Sequence, residues 1–349
     1  TEEAREAISI ARMSYSRANR IDEYVDWVES IDFADIQRAS LDSTVYLAAY
    51  EKYGLGSCEE AIPAFQTYLQ RFPDGVYMVK ANFLLAECSL GKGDTETARS
   101  AYERVVNGPV NDYTEKAWLQ IGHIAMANEN YKRALEAYNQ VVQSAQSAER
   151  YRAASVGRMR AAAELEDWQQ SVNFAEIALK DPGLSVQERN AGLLIQARGL
   201  WKTNRHEESQ RIYKVIRDSA TGIARGEASH YVAKFLAEVG NYESSNEEIY
   251  WMIENLPVYP KWRYESLLVM AENYWRLEDI FQAEYTIDFI IEQNYSEEVV
   301  KRARDLKERI NVAQAAAEAQ NDTVQVEINM NDVSGGGNEE DNQPEMNEE

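Results

Sequence analysis

Three histidines and two cysteines are the residues of this sequence with the most direct chemical use, as metal ligands, proton carriers or nucleophiles. His123, His206 and His230 lie far apart in the chain, and none has the His-Glu-x-x-His or Cys-x-x-Cys neighbours of a zinc site. The segment Gly91-Lys92-Gly93-Asp94 lacks the Gly-x-x-x-x-Gly-Lys-Ser spacing of a phosphate-binding loop. We therefore expect no catalysis, no cofactor and no metal.

The two cysteines are positioned so that they could form a disulfide. Cys58 and Cys88 are each 15 positions from Pro73, which stands in a turn between two predicted helices. Residues equally far from such a turn lie at matching heights on antiparallel helices, because each residue rises about 1.5 Å. A bridge would favour an oxidising compartment. The alternative, two separate buried thiols, is left open by the spacing.

Composition and charge exclude several classes of function. The chain has 349 residues and a net charge of -23, and residues 320–349 contain nine acids and no Lys or Arg. Such an acidic chain would repel phosphate backbones, so nucleic acid is an unsuitable partner. No apolar run approaches the 18 or so residues that a membrane span needs.

An internal repeat indicates the elements that would position any functional residue. Eight stretches carry small, aromatic or aliphatic residues at offsets of 3, 4 and 3, as in Tyr131-Ala134-Tyr138-Val141. These offsets place the side chains on one face of a helix. A second helix precedes each stretch, with turn signals such as Gly93 and Asn204 between the two. The second residue of the stretches recurs every 36–38 positions, at Tyr24, Ala61, Ala98, Ala134, Ser171, Ser209, Ser245 and Ala283.

The most complete repeat, Trp118-x-x-Ile121-Gly122 followed by Tyr131, Ala134 and Tyr138, resembles the signature of the tetratricopeptide repeat (TPR) family. The resemblance implies an all-α, right-handed superhelical solenoid of about eight helix-turn-helix repeats over residues 1–295. The period exceeds the usual length of about 34 residues. With Phe72-Pro73-Asp74-Gly75 between helices, the longer unit resembles TPR proteins of the bacterial envelope.

Two further segments follow the repeats. The apolar pattern that includes Val300, Leu306 and Ile310 predicts a capping helix over residues 296–319. Residues 320–349 combine the nine acids with Ser334-Gly335-Gly336-Gly337 and predict an acidic disordered tail.

The resemblance also implies a binding surface, because TPR proteins commonly bind ligands on the concave face that the first helices of the repeats line. Arg160, Arg198 and Lys234 would form a basic stripe there, which favours a protein or peptide with acidic segments. The alternative is that these cations pair with neighbouring acids. The full predicted set of partner-binding residues is Tyr46, Tyr50, Tyr53, His123, Arg160, Arg198, Trp201, Lys202, His230, Lys234, Trp275 and Arg276.

We therefore expect a non-enzymatic protein-protein interaction scaffold. Its predicted location is the bacterial periplasm or the periplasmic face of the outer membrane, with the cytoplasm as the alternative. Two other functions stay open: a glycan-binding component of an envelope uptake system, with Trp201 and Trp275 stacked on sugar rings, and a structural spacer or oligomerisation arm. The sequence names neither the partner nor the oligomeric state.

Overall fold

The computed structural model describes residues 2–18, 20–31 and 38–334. Over these residues the chain has seventeen helices and no strand, which confirms the all-α prediction. The chain forms two compact units, Thr1–Arg205 and His206–Glu349, and consecutive helices pack against each other within each of them. The right-handed superhelix predicted across the whole stack stays a prediction.

The described residues of unit 1 form eleven helices, which alternate along the chain between first and second members of helix pairs. The helices are α1 (Glu2–Arg17), α2 (Ile21–Glu29), α3 (Arg38–Gly54), α4 (Cys58–Arg71), α5 (Met78–Gly91), α6 (Thr95–Val106), α7 (Thr114–Ala127), α8 (Tyr131–Ser144), α9 (Ala148–Glu164), α10 (Trp168–Ala178) and α11 (Val186–Lys202).

Unit 2 contains six described helices with the same alternation. They are α12 (His206–Ser219), α13 (Ile223–Glu238), α14 (Tyr242–Asn255), α15 (Pro260–Arg276), α16 (Ile280–Gln293) and α17 (Glu297–Ser334). Each unit has its own core, built from the apolar stripes of its helices.

The repeated small residues lie where helices approach most closely. The eight repeat stretches begin helices α2, α4, α6, α8, α10, α12, α14 and α16, each at the first residue of the stretch. Their second residue is fully buried in seven repeats, with no exposed area at Ala61, Ala98, Ala134, Ser171, Ser209, Ser245 and Ala283. A small side chain is needed at such a contact because any added methylene would overpack it.

A left-handed residue followed by a capping side chain separates the two helices of a pair. The predicted turn glycines, such as Gly93 with φ of 82°, adopt this conformation, but Glu129, Glu166 and Glu278 also do so with φ of 55–62°. Positive φ is strained for a residue with a Cβ. After Glu129, the Asn130 side chain accepts a hydrogen bond from the backbone N–H of Arg133 and so caps the start of α8.

The ring of Tyr138 fills a slot between helices α7 and α9. A Cβ on Gly122 would meet this ring at 2.6 Å, and a Cβ on Gly157 would meet it at 2.4 Å. Both glycines are therefore required for the close approach of the aromatic side chain. Tyr138 is 2% exposed, and burial raises the pKa of its hydroxyl to about 12.

The structure pairs Cys58 and Cys88 in a disulfide. Cys58 is the first residue of α4 and Cys88 lies in the last turns of α5, and their Cα atoms are 5.2 Å apart. This separation is typical of disulfides. The bridge closes a loop with a sequence separation of 30 residues.

Helix α17 is longer than the predicted cap. It continues from Glu297 to Ser334, 15 residues beyond the predicted end at 319. Extending a helix costs much less than starting one, so a nucleated helix continues through the polar residues that follow Ala315-Ala316-Ala317. The packed part is the N-terminal one, where Val299, Leu306 and Ile310 are buried. The part of the predicted disordered tail that follows Ser334 lies outside the described residues.

Candidate partner-binding groove

A groove of about 450 Å³ lies between the first helices of three successive repeats in unit 1, α7, α9 and α11. It contains two of the three cations of the predicted basic stripe, Arg160 and Arg198. Trp168, at the start of α10, contributes to the wall. The residues that line it are Met126, Arg160, Ala163, Glu164, Glu166, Trp168, Ala191, Leu194, Ile195 and Arg198.

The helix register explains why the two arginines reach this groove. Arg160 follows the buried Met159 in α9, and Arg198 follows the buried Ala197 in α11. One side of each helix therefore packs into the core while the next residue is exposed. Because α9 packs against α11, the two guanidinium groups line the same groove.

The groove has mixed charge. Arg160 forms no salt bridge with any described residue, whereas Arg198 already has an interaction within the protein. Two carboxylates, Glu164 and Glu166, also belong to the lining. The surface can therefore accept an acidic group beside the arginines while its glutamates disfavour a uniformly acidic ligand.

The third cation of the predicted stripe belongs to the other compact unit. Lys234 lies on α13, is half-buried and has its Nζ 5.9 Å from the centre of the Tyr231 ring. The structure brings Arg160 and Arg198 together in one groove, and the inclusion of Lys234 in the same stripe stays a prediction.

The predicted tyrosine cluster mostly packs within the protein. Tyr46 is 2% exposed, and its ring stacks on Tyr77 with centroids 4.2 Å apart. Tyr50 is 38% exposed, Tyr53 is half-buried, and the Lys80 ammonium lies 4.6 Å from the centre of the Tyr50 ring. Only Tyr50 and the edge of Tyr53 have area left for a partner.

Three residues of the predicted set are corrected by their burial. Tyr46, Trp201 and His230 are 2%, 8% and 4% exposed, so they pack inside the protein and have little surface for a ligand. Burying a large aromatic ring contributes more favourable free energy to folding than leaving it exposed on a binding face. His123 and Lys202 are exposed. His123 has its Nδ1 3.3 Å from the Gln120 side-chain oxygen.

The burial of His230 predicts a pH dependence of stability. Desolvation, helped by Lys234, Arg302 and Lys261, lowers the pKa of the imidazole to about 3. Its Nδ1 is 3.0 Å from the Ser266 hydroxyl. The folded state keeps this histidine neutral, whereas the unfolded chain takes up a proton below pH of about 6.5. This contribution to stability is therefore lost as the pH falls from about 6.5 towards 3.

We expect the free energy of unfolding to decrease by up to about 1.4 kcal/mol per pH unit through this one group. His230→Gln should flatten that part of the profile measured by urea unfolding between pH 7 and 4.5. His206→Gln is the matched control, because it removes a half-buried imidazole elsewhere and leaves the contribution of His230 to the slope in place. A His230 imidazole that titrates near pH 6 by NMR would contradict this expectation.

The last two predicted residues lie in a cluster of aromatic and cationic groups in unit 2. The guanidinium of Arg276 is 5.2 Å from the centre of the Trp275 ring, and that of Arg309, on α17, is 5.1 Å from it. Glu272 forms salt bridges with Arg276 at 3.8 Å and with Arg309 at 3.3 Å. Trp275 is therefore half-buried and already in contact with two cations.

Sequence reasoning missed Trp168 and Glu166 as groove residues, and it missed Arg309 beside Trp275. Glu164 was expected as an acid near the basic stripe, and it lines the groove. Trp168 begins a second helix, and such helices were not expected to contribute to this face. Glu166 could have been predicted, because it lies in the turn between α9 and α10 and both helices line the groove.

Comparison with known proteins agrees with the repeat architecture. Residues 33–154 match the family model described as a tetratricopeptide repeat-like domain. No curated protein matches the chain. The predicted TPR resemblance is confirmed, and this type of fold generally serves as a scaffold for protein interactions, typically without catalysis.

Among solved structures, the chain is similar to the apo form of RapI, with 12% identity and a TM-score of 0.51, over 84% of this chain and 93% of that one. It is also similar to a tetratricopeptide repeat protein from Parabacteroides merdae, with 14% identity, a TM-score of 0.41 and coverage of 76% and 98%. A third is PilW, a type IV pilus biogenesis factor, with 17% identity, a TM-score of 0.42 and coverage of 64% and 97%. At this identity the match to RapI shows likeness of fold alone, and nothing is argued from the two structures with TM-scores below 0.5.

Two kinds of site are absent from the described residues. None of their helices has the length and apolar character to cross a bilayer. No group of three or more His, Cys, Asp or Glu side chains among them is arranged to hold a metal ion.

Proposed function

We propose that this chain is a non-enzymatic scaffold that binds a segment of a partner protein in the groove between α7, α9 and α11. The observation that carries the proposal is the joint presence of Arg160 and Arg198 on successive first helices, beside apolar side chains. Arginine and tryptophan, here Arg160, Arg198 and Trp168, are among the residue types that supply most of the binding energy in protein interfaces.

The partner segment that fits best carries an acidic residue next to an apolar one. The acidic group would bind between Arg160 and Arg198, and the apolar one would contact Met126 and Leu194. Glu164 and Glu166, which also line the groove, would repel a second acid of the segment.

The proposed location is the cell envelope of a bacterium. Support comes from the pairing of Cys58 with Cys88, since disulfides persist in oxidising compartments such as the periplasm and are rare in the cytosol. The glycan-binding alternative gains nothing from its two tryptophans, because Trp201 is buried and Trp275 is engaged with two guanidinium groups.

Charge reversal in the groove should weaken partner binding. Peptides selected from a random dodecapeptide library on the wild-type protein should contain Asp or Glu beside an apolar residue. We expect Arg160→Glu with Arg198→Glu to lower their affinity by about tenfold or more, equivalent to about 1.4 kcal/mol. Isothermal titration calorimetry with one selected peptide measures the change.

The matched control is Lys132→Glu with Lys180→Glu, which changes the net charge equally at two exposed positions outside the groove. It should leave the affinity within about twofold at physiological salt, because distant exposed charges are screened. Equal losses in both double variants, or selected peptides without acids, would contradict the proposed role of the groove.

A further inference from the structure

Arg158 is a buried cation without a counter-ion. It lies on α9, is 9% exposed, and its Nε has no hydrogen-bond partner. No described carboxylate forms a salt bridge with it. Its guanidinium stacks on Phe174 of α10, whose ring centre is 4.1 Å from the guanidinium carbon. Burial lowers the pKa of this guanidinium.

The position that Arg158 occupies is aliphatic in most other repeats. It stands 13 residues before the small residue Ser171 of its repeat. The same position in four other repeats is Leu85, Ile121, Val232 or Met270, and each of these is 1–3% exposed. It is alanine in the first two repeats and the half-buried Gln196 in the repeat that follows Arg158. An aliphatic side chain therefore satisfies the packing at this place, and the arginine is not needed for it.

Keeping an arginine there is costly for the isolated chain. Removing a charged group from water is unfavourable unless a partner charge or hydrogen bonds compensate, and the Arg158 Nε is shut off from solvent without such a partner. Stacking on one aromatic ring offsets only part of this cost. The uncompensated cost is removed when an anion reaches the guanidinium from outside the chain.

The surroundings of Arg158 are suited to a polypeptide. Tyr151 lies two turns earlier on the same side of α9 and is 37% exposed. Ile177 lies one turn after Phe174 on α10 and is 42% exposed. Exposed aromatic and aliphatic side chains therefore flank the cation, which is the residue composition of interface centres.

This surface is separate from the groove. Residues 158 and 160 point about 200° apart around a helix with 3.6 residues per turn. Arg160 lines the groove between first helices, whereas Arg158 stacks on the second helix α10.

We infer that Arg158 is the recognition point of a second interaction surface, where it pairs with the carboxylate of an acidic side chain from a partner polypeptide that packs on Tyr151, Phe174 and Ile177. The inference does not depend on the proposed groove. Both surfaces could be occupied at once, so the chain could connect two partners.

The test uses the Arg158 Nε–Hε resonance of the full-length chain, assigned by its loss in Arg158→Leu. Two pools of blocked heptapeptides are titrated, one with Glu fixed at the centre and one with Gln, with all other positions degenerate. The Glu pool should shift this resonance with a half-saturation concentration about tenfold lower than the Gln pool. The variant serves only to assign the resonance, and the two pools are compared on the wild-type protein.

Two variants on the same helix sharpen the result. Arg158→Leu should remain folded, since leucine fits this position in another repeat. In this variant the Glu and Gln pools should bind with equal affinity, as followed by the resonances of Tyr151. Arg160→Leu should leave the Glu preference at Arg158 unchanged, even if groove binding is lost. Equal shifts by both pools, a Glu preference at Tyr151 that persists in Arg158→Leu, or saturation by inorganic phosphate without any Glu preference would overturn the inference.

Discussion

Replacing Cys58 and Cys88 together by serine should lower the free energy of unfolding by about 3–4 kcal/mol under oxidising conditions. The bridge closes a loop of 30 residues between α4 and α5, and it restricts the unfolded chain more than the folded one. Cys88 is 1% exposed, so serine there adds the smaller cost of a buried hydroxyl. Urea unfolding followed by circular dichroism measures the difference.

Reduction of the wild-type protein provides the matched control. Dithiothreitol should reproduce most of the loss in the wild type and have no effect on the double variant. Denatured, unreduced protein should show no reactive thiol, and two should appear after reduction. Two reactive thiols before reduction would contradict the bridge and remove the support for an envelope location.

Replacing Tyr138 by alanine should cost about 3–5 kcal/mol, the range for deleting a large buried aromatic ring. The ring fills the space that Gly122 of α7 and Gly157 of α9 leave open. Neither glycine has a side chain that could fill this space once the ring is removed. The expected loss is largest if α7 and α9 cannot move together. The measurement is again the free energy of unfolding in urea.

Tyr138→Phe is the control and should change stability by less than about 0.5 kcal/mol, since the ring and its contacts remain. The complementary variant Gly157→Ala should cost about 1–3 kcal/mol, because its Cβ would overlap the ring. Gly91→Ala, where a Cβ would meet no atom within 4 Å, should not destabilise. A Tyr138→Ala protein as stable as the wild type would show that the slot closes without loss.

The helices could be predicted from the sequence because two local signals coincide in each repeat. The 3, 4, 3 offsets mark one face of a helix, and a helix begins at the first residue of each of the eight stretches. Turn glycines such as Gly93 adopt positive φ, as a helix end requires. The glutamates Glu129, Glu166 and Glu278 at the same turns show that the repeat imposes this conformation without glycine.

The binding surface could be predicted only in part, because burial depends on neighbours that a repeat position does not specify. The position that exposes Arg160 and Arg198 follows from helix register. The burial of Tyr46 does not, since it depends on Tyr77 from the loop before α5. Arg158 was not predicted as a binding residue, because it stands at a repeat position that is buried and aliphatic in four other repeats.

Site-specific photo-crosslinking from the groove tests the scaffold function most directly. A photoreactive amino acid replaces Leu194, which lines the groove, and in a control it replaces Val110, which is 92% exposed outside it. In cells that make the protein, the Leu194 probe should give one main crosslinked polypeptide, and Arg160→Glu with Arg198→Glu should abolish it. The Val110 probe should not give this product. The same crosslink from Val110, or a Leu194 crosslink unaffected by the double charge reversal, would contradict binding in the groove.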